Sequence, residues 1–152
     1  MRMDSPDINV LIYAFDQSAP HHEKFRAWLE ARVNGTVPFG LADPVWSGFI
    51  RITTNQRLFQ KPVSLDASLS FVERLRSSPM CRSLAPGERH WDIFLRLCRQ
   101  TRAVANDIPD VYLAALAIEA DSSWITTDMG FARFEGLNWR HPLQAESTGR
   151  LD

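Results

Sequence analysis

No stretch of the 152-residue chain comes near the ~18 consecutive apolar residues of a membrane-spanning helix, so a helical span is not expected. The start offers no basic segment leading into an apolar core, so no secretory leader is expected. Cysteine is scarce: Cys81 and Cys98 stand alone, at no metal-ligand spacing, and nothing implies an oxidising compartment, so both are expected to be reduced. Strong charge is missing too. A net charge of −1 gives no overall basic field to advertise nucleic-acid binding, although a local basic patch can still steer RNA. There is no internal repeat and no linker. What is present is an ordinary globular composition, 45% hydrophobic and 23% charged, at a length that suits one domain with a real core. The default is a cytoplasmic, bacterial-type protein.

The punctuation of the chain alternates short strands with helices. Arg2 to Pro6 has room for a short strand that Pro6 ends, because proline cannot donate to a ladder. Asn9 to Phe15 reads as a short helix burying Val10, Leu11, Tyr13 and Ala14. After a turn, Pro20 fits the first turn of a helix running to about Val33, with Phe25, Trp28, Leu29 and Val33 on one face and Asn34-Gly35 as its stop. That face is a candidate for covering by a partner protein. Val37 to Leu41 is a strand or a connector. Asp43-Pro44 reads as an N-cap and first position of a helix that buries Val45, Trp46, Phe49 and Ile50. Ser64 caps another, with Leu65, Leu69, Val72 and Leu75 at helical spacing. Arg82 to Ala85 is a strand candidate. Pro86-Gly87-Glu88 opens a helix with Trp91, Phe94, Leu95 and Cys98 inward. Asp107 is placed as the cap of the Ala-Leu-rich helix from Val111 to Ala120, with Asp110 in its first turn. A strand from Ser122 to Thr127, a helical turn from Met129 to Phe134 and a strand from Leu137 to Arg140 complete the pattern. It predicts a parallel sheet covered by helices.

Three acids fall where such a sheet opens its crevice, beyond the carboxyl ends of strands. Asp7 follows the first strand, Asp110 opens the Ala-Leu-rich helix, and Asp128 follows Trp124-Ile125-Thr126-Thr127. Brought together, their carboxylates repel, and one must take up a proton unless a cation neutralises them. Mg²⁺ or Mn²⁺ is the natural cation for oxygen donors, and phosphodiester hydrolysis is the chemistry that fits. Each acid also has a bland reading. Asp110 in a first helical turn is favoured by the helix dipole whatever its function. Asp128 suits a turn, and Asp43 and Asp107 suit caps.

Asp7-Ile8-Asn9-Val10-Leu11-Ile12-Tyr13-Ala14, Asp110-Val111-Tyr112-Leu113-Ala114-Ala115-Leu116-Ala117 and Thr126-Thr127-Asp128-Met129-Gly130-Phe131-Ala132-Arg133-Phe134 occur in that order. Together they resemble a PIN-domain ribonuclease of the VapC toxin family, and Phe49-Ile50-Arg51-Ile52-Thr53-Thr54-Asn55 resembles the middle segment of one VapC subgroup. The resemblance runs from Asp7 to about Pro142. It implies a three-layer α/β/α sandwich around a central parallel sheet, as a single PIN domain over residues 1–143 followed by a polar tail at 144–152. It implies the toxin of a type II toxin-antitoxin system: a Mg²⁺-dependent endoribonuclease (Mn²⁺ being the alternative ion) that acts on RNA, pairs with a VapB-like antitoxin and forms a homodimer. Carried over, Asp7, Asp110 and Asp128 match the catalytic, metal-binding acids. Asn9 matches the hydrogen-bonding neighbour of the first acid. Thr126 or Thr127 matches the hydroxyl residue, and Asn9 and Thr127 are assigned to positioning the ion or substrate.

Two positions depart from the family pattern. Ser47 and Gly48 stand where relatives often have a glutamate, and Gly130 stands where they often have a second aspartate. A catalytically weak PIN-fold module that mainly binds an antitoxin is therefore the alternative reading, with Asp43 or Asp107 as partial compensation. A haloacid dehalogenase-type phosphatase fits less well, because Asn9 stands where that family wants a second aspartate. Arg51, Arg57 and Lys61 are the candidates for phosphate contact. His21 and His22 read as solvated at the start of an exposed helix, His90 and His141 have no partner at ligand spacing, Trp28, Trp46 and Trp91 read as core, and Trp124 or Trp139 could stack on a base.

Overall fold

The computed structural model of the protein describes residues 2–59, 61 and 63–144. The expected polar tail therefore lies, beyond Gln144, outside the described residues. Five strands, β1 (Asp4–Pro6), β2 (Phe39–Ala42), β3 (Cys81–Leu84), β4 (Ser123–Ile125) and β5 (Trp139–Arg140), pair in parallel in the order β3-β2-β1-β4-β5. Parallel strands need crossovers, and here helices supply them. Helices α1 (Ile8–Phe15) and α2 (His22–Val33) lead from β1 to β2. Helices α3 (Asp43–Thr53) and α4 (Leu65–Arg76) lead from β2 to β3, and α5 (His90–Thr101) and α6 (Asp107–Glu119) carry the chain back to β4. The result is the expected α/β/α arrangement.

This order contains a reversal. The chain winds outward from β1 through β2 to β3, then crosses back to place β4 on the other flank of β1. The crevice between β1 and β4 is the switch point, where open α/β sheets bind ligands. Asp7 leaves β1 there, and Thr126, Thr127 and Asp128 leave β4 beside it. Pro6 does end β1, and the ladder closes one residue later through the Asp7 N–H to the Ile125 carbonyl at 2.8 Å.

The core lies between sheet and helices: Val10 and Leu11 of α1, Val45 and Phe49 of α3, Val111 and Leu116 of α6, and Trp124 of β4 are fully enclosed. Trp124 is thereby removed as a base-stacking surface. The all-round burial of Val111 and Leu113 to Ala117 explains why this helix reads as a nearly continuous apolar run. Ser64 caps α4 as expected, its hydroxyl accepting from the Ala67 N–H at 3.1 Å, a contact worth about 1 kcal/mol.

Several expectations are corrected. Helix α2 starts at His22, so Pro20 lies in the preceding turn and His21 takes a left-handed backbone. Of its expected apolar face, Phe25 and Leu29 are buried by this chain and Phe25 packs on Tyr13, while Trp28 and Val33 stay partly exposed. The α4 stripe buries Val72 and Leu75 with Ser68, while Leu65 and Leu69 face solvent; the Ser68–Thr53 hydroxyl pair at 2.6 Å lets a polar residue take the inner face. Helix α5 is rotated by about one residue from the expected wheel. His90 and Leu97 point inward and Trp91 is 62% exposed. His90 tolerates burial because its Nε2 meets the Tyr112 carbonyl at 3.1 Å and its ring meets the Tyr112 ring edge-to-face. Asp43 and Asp107 are first helical residues, with Ala42 and Asn106 in the cap positions. Their side chains serve the Trp46 indole N–H at 2.9 Å and the Val104 N–H at 3.1 Å respectively.

Candidate functional site

Asp7 is the centre of the switch-point crevice. It is the N-cap of α1, and its Oδ1 accepts from the Ile8 N–H at 2.7 Å. Its Oδ2 accepts from the Thr126 hydroxyl at 2.7 Å and from the Asn9 amide at 3.2 Å. The sequence dictates this cage locally. An aspartate after β1 is held by the first turn of the helix it caps, and Asn9, two residues on, can turn back to it.

Asn9 also ties the two strand ends together. Its Nδ2 reaches the Thr126 hydroxyl oxygen at 3.2 Å, and its Oδ1 accepts from the Thr127 N–H at 3.1 Å. The two threonines are thereby separated. Thr126, fully buried, presents its hydroxyl to Asp7 and also accepts from the Asp128 N–H at 3.0 Å, whereas Thr127 meets Asn9 through its backbone. Asp128 caps the 3-10 turn Met129–Arg133, its Oδ1 accepting from the Gly130 N–H at 2.8 Å, and is exposed.

Asp110 comes from the first turn of α6 and stands half-buried. Arg133, to which the sequence reading assigned no role, reaches back over it: Nη2 lies 3.4 Å from Asp110 Oδ2 and 3.9 Å from Asp107 Oδ1. The same guanidinium donates to the Gly130 carbonyl and lies over the Phe134 ring at 4.3 Å. The 3-10 turn explains its reach to Gly130, since residues i and i+3 eclipse there and Arg133 is three residues after Gly130; its pairing with Asp110, 23 residues away, had no local signal.

The electrostatics set Asp7 apart. Burial raises its pKa from 3.8 to about 6, against the Thr126 hydroxyl and the Ile8 N–H, which lower it; the charges of Asp110 and Asp128 raise it further. The favourable helix N-terminus, typically worth ~0.3–2 kcal/mol, is thus outweighed by desolvation. Asp110 is raised as well, chiefly by burial, with Arg133 pulling the other way and Asp128 and Asp107 adding repulsion. So the folded chain brings the three acids close enough to feel one another. Among the described residues it does not gather three or more Asp, Glu, His or Cys side chains closely enough to hold an ion. The donor chemistry nonetheless suits a hard cation, being carboxylates with hydroxyl and amide oxygens and no thiolate or imidazole.

The departures from the family pattern have local explanations. Ser47 turns its hydroxyl onto the Asp43 carbonyl at 2.6 Å. Gly48 is buried, and a Cβ there would come within 2.7 Å of Ile8 Cδ1. An apolar groove of about 610 Å³ runs from Ile8 and Pro109, the neighbours of two of the acids, past Gly48 and Tyr112 to Arg51. The Arg51 guanidinium is exposed and has no hydrogen bond or ion pair with any described residue. Arg57 and Lys61 are exposed in the loop after α3. The histidines stand apart: His22 meets the Tyr13 carbonyl at 2.9 Å, and His141 accepts from the Leu143 N–H at 3.1 Å.

Comparison with known proteins agrees with this geometry. The PIN domain family model matches residues 6–137. The chain is 43% identical over 141 residues to the VapC ribonuclease Mb2897 of Mycobacterium bovis, covering 93% of this chain and 96% of that protein. It is 37% identical over 139 residues to ribonuclease VapC33 of Mycobacterium tuberculosis, covering 91% and 97%. Among solved structures, VapBC2 from Rickettsia felis, bound to a promoter DNA fragment, superposes with a TM-score of 0.66 at 14% identity over 91% of this chain and 98% of that one. VapBC-1 from nontypeable Haemophilus influenzae superposes with a TM-score of 0.65 at 17% identity, covering 93% and 99%. The two structural matches establish the fold. The chain belongs to the PIN-domain family and, within it, to the VapC ribonucleases. No helix among the described residues is long and apolar enough to cross a membrane.

Proposed function

We propose that the protein is the toxin of a type II toxin-antitoxin pair, a cytoplasmic endoribonuclease that hydrolyses RNA phosphodiester bonds with the help of Mg²⁺ and is silenced by a VapB-like antitoxin. One observation carries this reading. Asp7 is a buried carboxylate at the switch point with no cationic partner among the described residues, pushed up to about 6 and further burdened by Asp110 and Asp128. A site built this way favours any divalent ion that binds it, because the ion relieves repulsion that the fold leaves standing.

Asp7, Asp110 and Asp128 would hold the ion. Bound there, it would supply Lewis-acid neutralisation of the phosphodiester charge. The chain's own part is positioning. Ile8, Thr126 and Asn9 fix the Asp7 carboxylate, and Asn9 together with Thr127 locks the β1 and β4 ends in register. The groove beside them offers apolar walls to an unpaired RNA strand, and Arg51 a free cation for its backbone. The domain extends over residues 1–143 in this reading, and a homodimer is the expected form.

Induction of the protein alone should arrest growth, and Asp7→Asn should relieve the arrest. Purified wild type should cleave RNA only when Mg²⁺ or Mn²⁺ is present. Equal toxicity of wild type and variant would overturn the catalytic reading. Gly48 and Gly130 favour a second one, a weak nuclease acting mainly as an antitoxin-binding module. Tight Mn²⁺ binding abolished by Asp110→Asn would count against it.

A further inference from the structure

We infer that Arg133 is an internal counter-ion of the acidic cluster: its guanidinium occupies Asp110 when no divalent ion is bound and must leave for the ion to load. This rests on the metal-dependent reading proposed above and adds a residue that controls it.

Four contacts fix the side chain. They are the ion pairs to Asp110 at 3.4 Å and Asp107 at 3.9 Å, the donation to the Gly130 carbonyl, and the stack on Phe134 at 4.3 Å. Arginine has a large rotamer entropy to lose, so an arginine held at every one of these points is an ordered part of the site. Room for it comes from Gly130. A Cβ at that position would lie 2.9 Å from Arg133 Nη1 and 3.0 Å from Asp128 Oδ1. A larger side chain there would press on the guanidinium tip and on the Asp128 carboxylate, and one of them would have to shift. Two sequence oddities thus have one cause: the acid missing at 130 and the cation present at 133 compete for the same volume. A guanidinium and a divalent cation sharing Asp110 would repel strongly at this range, so they bind in alternation. The guanidinium is 33% exposed, which leaves it a path outward. Once displaced, it offers a planar fork suited to a phosphodiester.

The test is a Mn²⁺ titration followed by electron paramagnetic resonance on the full chain, with melting curves to check folding. Arg133→Met keeps the length of the side chain and its packing on Phe134 without the charge. It should bind Mn²⁺ about fivefold more tightly than wild type, the scale of a partly exposed ion pair. Gly130→Ala keeps the arginine at 133 and adds no charge, but its Cβ presses on the guanidinium tip, and it should tighten binding by about twofold. If Arg133→Met and Gly130→Ala bind Mn²⁺ no more tightly than wild type, while Asp7→Asn abolishes binding, the counter-ion role is overturned and the metal reading stands. If wild type and Arg133→Met both fail to bind Mn²⁺, both are overturned.

Discussion

The short central strand has an aspartate at each end, and the two are treated in opposite ways. Asp4, where the strand begins, is buried against two arginines: Arg32 Nε lies 2.9 Å from its Oδ2, and Arg140 grips both oxygens at 3.1 and 3.0 Å. Asp7, just past the strand's other end, is as deeply buried but among the described residues has only neutral donors, the Ile8 N–H, the Thr126 hydroxyl and the Asn9 amide. The fold neutralises the first and leaves the second short of positive charge. A buried charge without a partner is costly, and such cost persists where function uses it. The difference separates a structural aspartate from a functional one more sharply than burial or position does.

The largest effect should come from breaking Asp7. Asp7→Asn keeps the shape and removes the charge, and RNA cleavage should fall by on the order of 10²–10³-fold, the scale for removing a principal electrostatic group. Stability should move the other way. The folded carboxyl titrates at about 6 against 3.8 for the free group, so the folded state holds the proton more tightly. Ionised Asp7 therefore weakens the metal-free fold, by nothing below about pH 4 and by roughly 3 kcal/mol once the pH exceeds its folded value. Urea unfolding in chelator at pH 4 and pH 7 measures it. Wild type should lose stability, relative to Asp7→Asn, as pH rises through that window. An equal pH dependence in the two proteins would remove the contrast with Asp4.

Asp4→Asn should do the reverse. It leaves the guanidinium groups of Arg32 and Arg140, each about a quarter exposed, facing one another without their shared anion. The expected cost is about 3 kcal/mol of stability, the low end of the range for removing one partner of a buried ion pair. Cleavage per folded molecule should be unchanged. A loss of activity without a loss of stability would show that Asp4 belongs to the site after all.

Thr126→Val asks how far the Asp7 cage matters beyond the charge it holds. The variant keeps the volume and removes a hydroxyl that donates to Asp7 at 2.7 Å and accepts from the Asp128 N–H at 3.0 Å. Partners that orient a ligating carboxylate typically contribute about 10–100-fold to metal affinity or activity, so a drop of about tenfold in Mn²⁺ affinity is expected. Thr127→Val, which leaves the backbone N–H to Asn9 intact, should change it by less than about threefold. Titrating both variants side by side decides which threonine supports the site.

The sequence made the sheet legible because its signals were local. Pro6 marked the end of β1, Ser64 a cap, and the Ala-Leu run a buried helix. The ends of β1 and β4 and the start of α6 could be placed at one crevice because each acid sat at an element boundary. Residues whose roles depend on partners far along the chain were not legible. Asp4 reads as an unremarkable polar residue until Arg32 and Arg140 arrive, 28 and 136 positions away. Trp91 was placed inward and His90 was given no partner, because nothing local announces the Tyr112 carbonyl. Arg133 sat inside the motif that identified the family, yet its direction depends on the missing side chain at Gly130. Periodicity locates elements, but it does not say which charges meet.

Asp107 should show the smallest effect, and it tests where the unneutralised cluster ends. It was a candidate to replace the missing acids, since it lies one turn before Asp110 and faces the same arginine. Its geometry argues otherwise. One oxygen accepts from the Val104 N–H at 3.1 Å, and the other approaches Arg133 only to 3.9 Å, with the side chain 48% exposed. An ion pair that long and that wet is worth at most a few tenths of a kcal/mol, about a twofold effect. Asp107→Asn should accordingly change Mn²⁺ affinity by less than about twofold and stability by less than about 0.5 kcal/mol. Asp110→Asn, beside it and 32% exposed, should cost far more affinity. If the two variants weaken Mn²⁺ binding equally, Asp107 is a fourth member of the cluster and the boundary drawn between neutralised and unneutralised acids moves outward by one helical turn.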